Sequence, residues 1–301
     1  MKQKLQHKLT QEVDAKGILL SITACTLFAL MPAYVQLLKP FSGYVVAGQR
    51  IIWSAILLFI FLVLSGKLKT SLAPLKNGRS IPGLMLGSFL IGAQWWVFVW
   101  APLNGHTLDV SLGYFLLPII MVLIGSLFFK EKLRPLQWLA VALASIGVIL
   151  MIIQSGGISW VALLICLGYP QYFLLRRKQS IPAFSIFFIE NLLLLPIAIW
   201  AVHHFGMVFH PFDFEKIKIM GFAGLGLLGS IPMLCFIAAS RRLPISIFGL
   251  LNYLEPVLIF IVGSLMLGEH LADGQRYAYF IIMLALALLA IDGYKKWRKC
   301  S

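Results

Sequence analysis

The sequence predicts an all-α polytopic membrane protein, ten transmembrane helices in two inverted five-helix repeats. Three observations predict it: the extent of apolar sequence, the placement of basic residues, and a self-similarity at a fixed offset. Of 301 residues, 60% are hydrophobic and 12% charged. A soluble domain of this length could not hide so much apolar surface. Segments of ~20 apolar residues match ~30 Å of hydrocarbon at 1.5 Å rise per residue. Backbone polar groups in lipid must pair internally, which favours helices. The short alternating strands of a transmembrane barrel do not occur in the sequence.

A basic segment, residues 1–16, precedes an apolar run at 17–38. That run is too long for a signal h-region, and no small-residue cleavage pattern follows it, so it reads as the first span. Further spans are predicted at 44–65, 81–101, 108–129, 134–153, 157–175, 182–202, 217–239, 246–267 and 276–294, followed by a basic tail at 295–301. The two repeats are thus 17–153 and 157–294. Connections are short except 66–80 and 203–216, which leaves no room for a soluble domain.

Basic residues test this count. With the N-terminus in the cytoplasm, 20 of the 25 Lys and Arg residues fall in cytoplasmic segments, four fall outside, and Arg50 lies within a span. A missed or extra span would scramble that split. It predicts both termini in the cytoplasm. The net charge of +14 is then an orientation signal aided by anionic lipid, not a nucleic-acid footprint. Cys25, Cys166, Cys235 and Cys300 show no metal-ligand spacing and no disulfide framework; they read as small apolar filler.

A shift of 138 residues lays 110–133 on 248–271. Leu112, Pro118, Gly125, Ser126, Leu127, Glu131 and Leu133 then fall on Leu250, Pro256, Gly263, Ser264, Leu265, Glu269 and Leu271. The shift places span 4 on span 9. Five spans is an odd number, so the copies have opposite topology, as in transporters that hold substrate near the midplane between inverted halves.

Particular motifs carry a family resemblance. Pro32 to Tyr34 (PAY), Gln49 to Ser54 (QRIIWS), Leu90 to Trp100 (LIGAQWWVFVW) and Ser111 to Pro118 (SLGYFLLP) resemble the RarD-type permeases, of the EamA branch of the drug/metabolite transporter superfamily. Phe129 to Leu133 (FKEKL), Ile189 to Pro196 (IENLLLLP), Asn252 to Pro256 (NYLEP) and Gly268 to Leu271 (GEHL) extend the match over nearly the whole chain. The resemblance implies two EamA-like halves of five helices and transport of metabolites or drugs; RarD-type members are associated with chloramphenicol sensitivity. Two positions depart from the family pattern: Gln49 stands where a histidine is usual, and Glu255 where glycine is frequent. Coupling-ion chemistry therefore does not carry over with the resemblance.

Ionisable residues within spans are few. A charge at the bilayer centre costs at least ~2.5–3.5 kcal/mol on insertion scales, so such groups turn toward the bundle interior. Arg50, Glu190 and Glu255 are the three that stand out, in spans 2, 7 and 9. They are expected to line one central cavity with Gln94; the alternative is an internal ion pair that fixes helix packing, and sequence leaves the pairing open. Arg50 would bind an anionic or carbonyl group. Glu255 is the candidate for proton coupling, and Glu190 joins the substrate-binding set. Gln94 and Trp95 in span 3 lie deeper than Trp96 and Trp100, which share a helix face, and Trp100 reads as an interfacial anchor. Tyr114 and Asn252 each precede a proline by four residues, and proline frees the carbonyl one turn earlier. Both are candidates for substrate binding or for a packing kink. His203, His204 and His210 do not make a metal site without further ligands, and Gly83 and Gly87 read as helix-packing contacts.

The expected activity is secondary transport of a small-molecule substrate by alternating access, without a cofactor and without a nucleic-acid partner, the lipid bilayer being the other partner. No GxxxxGK[ST] phosphate loop is present. An intramembrane channel or lipid-handling protein is the alternative. An enzyme is disfavoured because no paired acid and base or activated nucleophile is found.

Overall fold

The computed structural model describes residues 14–38, 41–103, 106–155, 157–206, 216–266, 277, 280–288 and 291–292. Among these residues every regular element is helical. In order they are α1 (Ala15–Gln36), α2 (Gly43–Leu64), α3 (Leu68–Lys76), α4 (Ile81–Leu103), α5 (Thr107–Phe128), α6 (Pro135–Ser155), α7 (Trp160–Lys178), α8 (Ala183–Phe205), α9 (Lys216–Arg242), α10 (Ile245–Leu251) and α11 (Leu254–Met266). A further helical stretch covers 280–288 within the expected tenth span.

Among the described residues six helices are long and apolar enough to cross a membrane, and Leu112–Phe128 and Ile245–Ile259 are shorter apolar helical stretches. The protein is therefore a polytopic α-helical membrane protein. Large apolar side chains face outward on most of the long helices: Phe89 is 70% exposed, Phe128 79% and Leu64 83%. That surface would be costly in water and is at home in lipid. Starts of helices follow local capping chemistry. Asp14 accepts from the Lys16 N–H to begin α1, Ser42 from Val45 N–H to begin α2, and Ser159 from Ala162 N–H to begin α7.

Two elements differ from the sequence expectation. The 66–80 connection holds α3, a nine-residue helix. Leu68, Ser71, Leu72 and Leu75 recur at one-face helical spacing, and that face packs on α2 and α8. It is too short and too charged to register as a span. Span 9 is not one helix but two, broken by a turn at Asn252–Tyr253. Pro256 cannot donate to the carbonyl of Asn252; the Glu255 N–H takes that carbonyl instead at 3.2 Å. The Leu251 carbonyl is met by the Cys25 thiol at 3.7 Å, so Cys25 is more than filler. By contrast, α5 runs unbroken through Pro118.

Helix α1 packs on α9 and α11, α2 on α8 and α9, α4 on α7 and α8, and α5 on α7 and α10. Tyr253, 138 residues from Phe115, donates its hydroxyl to the Phe115 carbonyl at 3.1 Å where these two apolar spans cross.

The end of the bundle that carries the basic connections is tied by polar contacts. Glu131 accepts from the backbone N–H groups of Ile245 (2.8 Å) and Ser246 (2.9 Å), which caps the start of α10. Arg134 pairs with Asp292 at 2.9 Å, and Arg242 with Asp14 at 2.8 Å. The Arg242 hydrogen bond holds the exposed Asp14 carboxyl below its usual value, so this tie is complete at neutral pH. Glu131 joins elements 114 residues apart. Glu131→Ala is expected to cost about 2 kcal/mol by orphaning two N–H groups, and Glu131→Gln less, because an amide oxygen still accepts. Thermal unfolding in detergent ranks the two variants; equal midpoints for Glu131→Ala and the unmodified chain would rule out this cap as a stabilising contact.

Candidate functional site

Arg50, Trp95, Tyr114, Tyr169 and Glu255 come together from α2, α4, α5, α7 and α11. The Arg50 guanidinium lies over the Trp95 ring, 4.4 Å from its centroid. A desolvated cation–π contact of this kind contributes about 2 kcal/mol. Gly229 of α9 makes room for it, since a Cβ there would stand 2.6 Å from Arg50 Nε. That Nε finds no acceptor. The Tyr114 and Tyr169 hydroxyls are 3.3 Å apart, and Phe98 meets Tyr114 edge-on at 6.1 Å. Glu255 and both tyrosine hydroxyls lie within electrostatic range of Arg50. No ion pair within 4.0 Å joins Arg50 to Glu255 or to any other described residue.

Arg50, Tyr114, Tyr169 and Glu255 lie deep among the helices, yet each stays partly accessible. Groups that combine depth with accessibility are suited to lining an internal cleft. An arginine stays charged in any environment, and this one has a ring beneath it but no neutralising partner in contact. The arrangement can bind an anionic or carbonyl group at Arg50 while a carboxylate waits on the opposite element.

Glu190 is placed elsewhere. It is wholly buried and pairs with Arg176, Oε1 to Nη2 at 2.6 Å. Tyr172 donates its hydroxyl to Glu190 Oε2 at 2.9 Å. Arg176 also donates to Gln179 and, at 3.4 Å, to the Gly83 carbonyl. Arg241 donates to the carbonyls of Arg176 (3.2 Å) and Ile181 (2.7 Å). A Cβ on Gly87 would overlap the Arg176 guanidinium. Gly87 thus serves α4 by admitting an arginine, while Gly83 makes room for Gln179 and lends its carbonyl to Arg176. Arg176 was counted from sequence among the loop charges, but it is 0% exposed. The residue signals that could have found this pair are Tyr172 and Arg176 at i,i+4 on one helix, facing a small-residue pair on another.

Gln94 and Asn252 are buried in helix contacts. Gln94 donates to the Leu164 carbonyl at 2.8 Å and ties α4 to α7. Asn252 sits in the span-9 turn with its amide 3.9 Å from Met121 Sδ. Each leaves its carbonyl oxygen without a donor. Trp95 forms the floor under Arg50, and Trp96 packs on Tyr44 at 5.4 Å. His204 stacks on Trp200. His210, Glu269 and the Trp100 side chain lie outside the described residues. Tyr169 is the cleft residue that sequence reasoning passed over. It is a polar side chain in an apolar run, directly before Pro170.

Comparison with known proteins bears on this site. Residues 15–153 match the EamA-like transporter family. The chain is 39% identical over 291 residues to the "Chloramphenicol-sensitive protein RarD" of Pseudomonas aeruginosa, covering 95% of this chain and 97% of that one. It is 32% identical to the "Protein RarD" of Salmonella typhimurium, covering 95% of this chain and 100% of that one. A solved crystal structure, 15% identical in sequence, shares the fold with a TM-score of 0.68 over 93% of this chain and 98% of that chain.

Removing one partner of a buried pair leaves the other charge uncompensated. Glu190→Ala is expected to lose about 3–5 kcal/mol of stability, and replacing both partners with apolar residues (Arg176→Met with Glu190→Leu) to recover most of it. Reversible unfolding of the single and double variants measures this. A single variant as stable as the unmodified chain would mean that Arg176 has another acceptor.

Proposed function

This chain belongs to the RarD-type permeases of the EamA-like transporter family, and from that premise we propose that it is a secondary transporter of small metabolites or drugs in the bacterial inner membrane. It is a membrane transporter of the drug/metabolite superfamily. The finer reading is alternating access between two inverted halves of five spans, coupled to protons. The observation that carries it is the cluster: Arg50, with no contacting counter-ion among the described residues, gathered with Trp95, the Tyr114–Tyr169 pair and Glu255. A charged pair that is left apart within a bilayer-spanning bundle is costly unless a ligand or proton uses it.

Several observations support the inverted halves. The bounds of α5, moved by 138 residues, are those of α10 and α11 taken together. The α1–α9 contact has its counterpart in α7–α4, and the α5–α7 contact in α11–α1. Tyr34 of α1 donates to the Gly221 carbonyl of α9, while Arg176 of α7 donates to the Gly83 carbonyl of α4. Gly83 and Gly221 are again 138 residues apart. Phe115 and Tyr253, at the same separation, touch where the halves cross. In this reading the basic end is cytoplasmic. The Arg176–Glu190 pair, the Glu131 cap and the Asp14–Arg242 tie close it, and the cleft communicates with the other side.

The substrate's anionic or carbonyl group would dock on Arg50, whose planar guanidinium is held flat on Trp95. Glu255 would exchange a proton as access alternates, because a poorly hydrated site disfavours the charged form of a carboxylate. Gln94 and Asn252 would shape the cleft from behind through their helix contacts. Counterflow and pH-gradient-driven uptake in proteoliposomes test these roles. Glu255→Gln is expected to abolish proton-driven accumulation and leave counterflow largely intact. Arg50→Ala is expected to weaken substrate binding about 10- to 100-fold, the worth of a charge-assisted hydrogen bond, and Arg50→Lys should not restore it, since an ammonium lacks the planar fork. Full gradient-driven uptake by Glu255→Gln would leave that residue only a packing role.

Topology is checked separately. Reporter fusions after Ser301 are expected in the cytoplasm and those in the 203–216 connection outside. Both reporters on one side would end the ten-span reading.

A further inference from the structure

We propose that α3 and its flanks form a binding site for an anionic phospholipid headgroup at the basic end of the bundle. Helix α3 buries one face and presents the other. Ser71 is buried and receives the Ser185 hydroxyl at 3.1 Å. Leu75 packs with Leu84, Ile186 and Ile189, and Leu68 and Leu72 pack on the main core. Lys69 and Lys76 are exposed on one flank of that face, seven residues apart and so on one side of the helix. Lys67 before the helix and Arg79 after it are exposed as well.

These four cations make no ion pair among the described residues. The segment 64–80 contains no Asp or Glu. The described carboxylates at this end are otherwise occupied, Asp14 by Arg242, Glu131 by the start of α10, and Asp292 by Arg134. The cluster is therefore an uncompensated positive surface on an amphipathic helix between two spans, where each basic residue near an anionic membrane surface contributes about 1 kcal/mol, or fivefold.

The neighbouring surface identifies the anion as lipid. Leu64, 83% exposed, ends α2 three residues before Lys67. Phe61 stacks on Phe184 at 5.2 Å, and both keep substantial exposure. An apolar strip thus runs directly into the basic face. A phospholipid satisfies both parts, acyl chain on Leu64 and the Phe61–Phe184 pair, phosphate on Lys67 and Lys69. A free phosphate satisfies one. The surface is separate from the Arg50 cleft. It adjoins the Arg176–Glu190 pair through α8, where Ser185 and Ile189 precede Glu190.

Titration of the purified full chain in detergent with phosphatidylglycerol, phosphatidylcholine or inorganic phosphate tests the proposal, reading retained lipid by native mass spectrometry and the thermal midpoint at low and high salt. Phosphatidylglycerol is expected to be retained and to raise the midpoint, less so at high salt. The variant with Lys67, Lys69, Lys76 and Arg79 all changed to Gln should bind it at least about tenfold more weakly, given about fivefold per basic residue. Lys69→Gln with Lys76→Gln carries the test should the fourfold variant not fold. Lys130→Gln with Lys132→Gln, exposed at the same end, should bind nearly as the unmodified chain does. Equal loss in this control would mean diffuse charge and overturn the site. So would an equal response to inorganic phosphate or to phosphatidylcholine.

Discussion

A charge inside a bilayer-spanning helix cannot be left to solvent, and the buried Arg176–Glu190 pair shows how this protein meets that constraint. The guanidinium and carboxylate are both withdrawn from solvent and in contact at 2.6 Å. Around them, Tyr172 donates to the carboxylate, Gln179 and the Gly83 carbonyl accept from the guanidinium, and Arg241 binds the Arg176 backbone carbonyl. Desolvation of such a pair cancels much of its Coulomb gain. Its structural consequence is specificity of packing. α4, α7, α8 and the end of α9 meet in one arrangement because any other would strand a charge. Gly87 is the steric condition for it, and the Gly83 carbonyl is one of its acceptors.

Arg50 answers the same constraint differently. It has an aromatic face beneath it and a carboxylate at longer range, but no contacting anion among the described residues. Arg176 is surrounded; Arg50 is supported. The contrast separates a residue that organises helices from one that can serve a ligand, although both are arginines within apolar sequence. Glu190 and Glu255 divide in the same way. Glu190 is consumed by its partner. Glu255 begins a short helix beside a turn, where the backbone is already irregular and its side chain keeps partial accessibility.

Among the described spans that irregularity is confined to span 9. The corresponding proline in span 4 is carried within a continuous helix, whereas Asn252 and Tyr253 form a turn whose freed groups are met by Cys25 and by local bonds. Irregular backbone at membrane depth is tolerated where protein satisfies it. The Glu131 cap on α10 and the Tyr253–Phe115 bond hold either side of the turn, so the break is a defined joint between fixed pieces.

The sequence by itself determined the membrane class, the position of nearly every helix, the clustering of basic residues and the family. All of these are one-dimensional properties: a run of ~20 apolar residues is set by bilayer thickness, and motifs are local. Arg50, Trp95, Tyr114 and Glu255 could be picked out because polar groups in apolar runs are conspicuous. Only the tertiary structure decided that Glu190 belongs to Arg176, that Tyr169 joins the cleft, that Gln94 and Asn252 point into helix contacts, and that α3 and the span-9 turn exist. The physical reason is that a helix apolar on every side carries no stripe to say which face turns inward. Its rotation, and so the partner each polar side chain meets, is set by packing against neighbours far away in sequence.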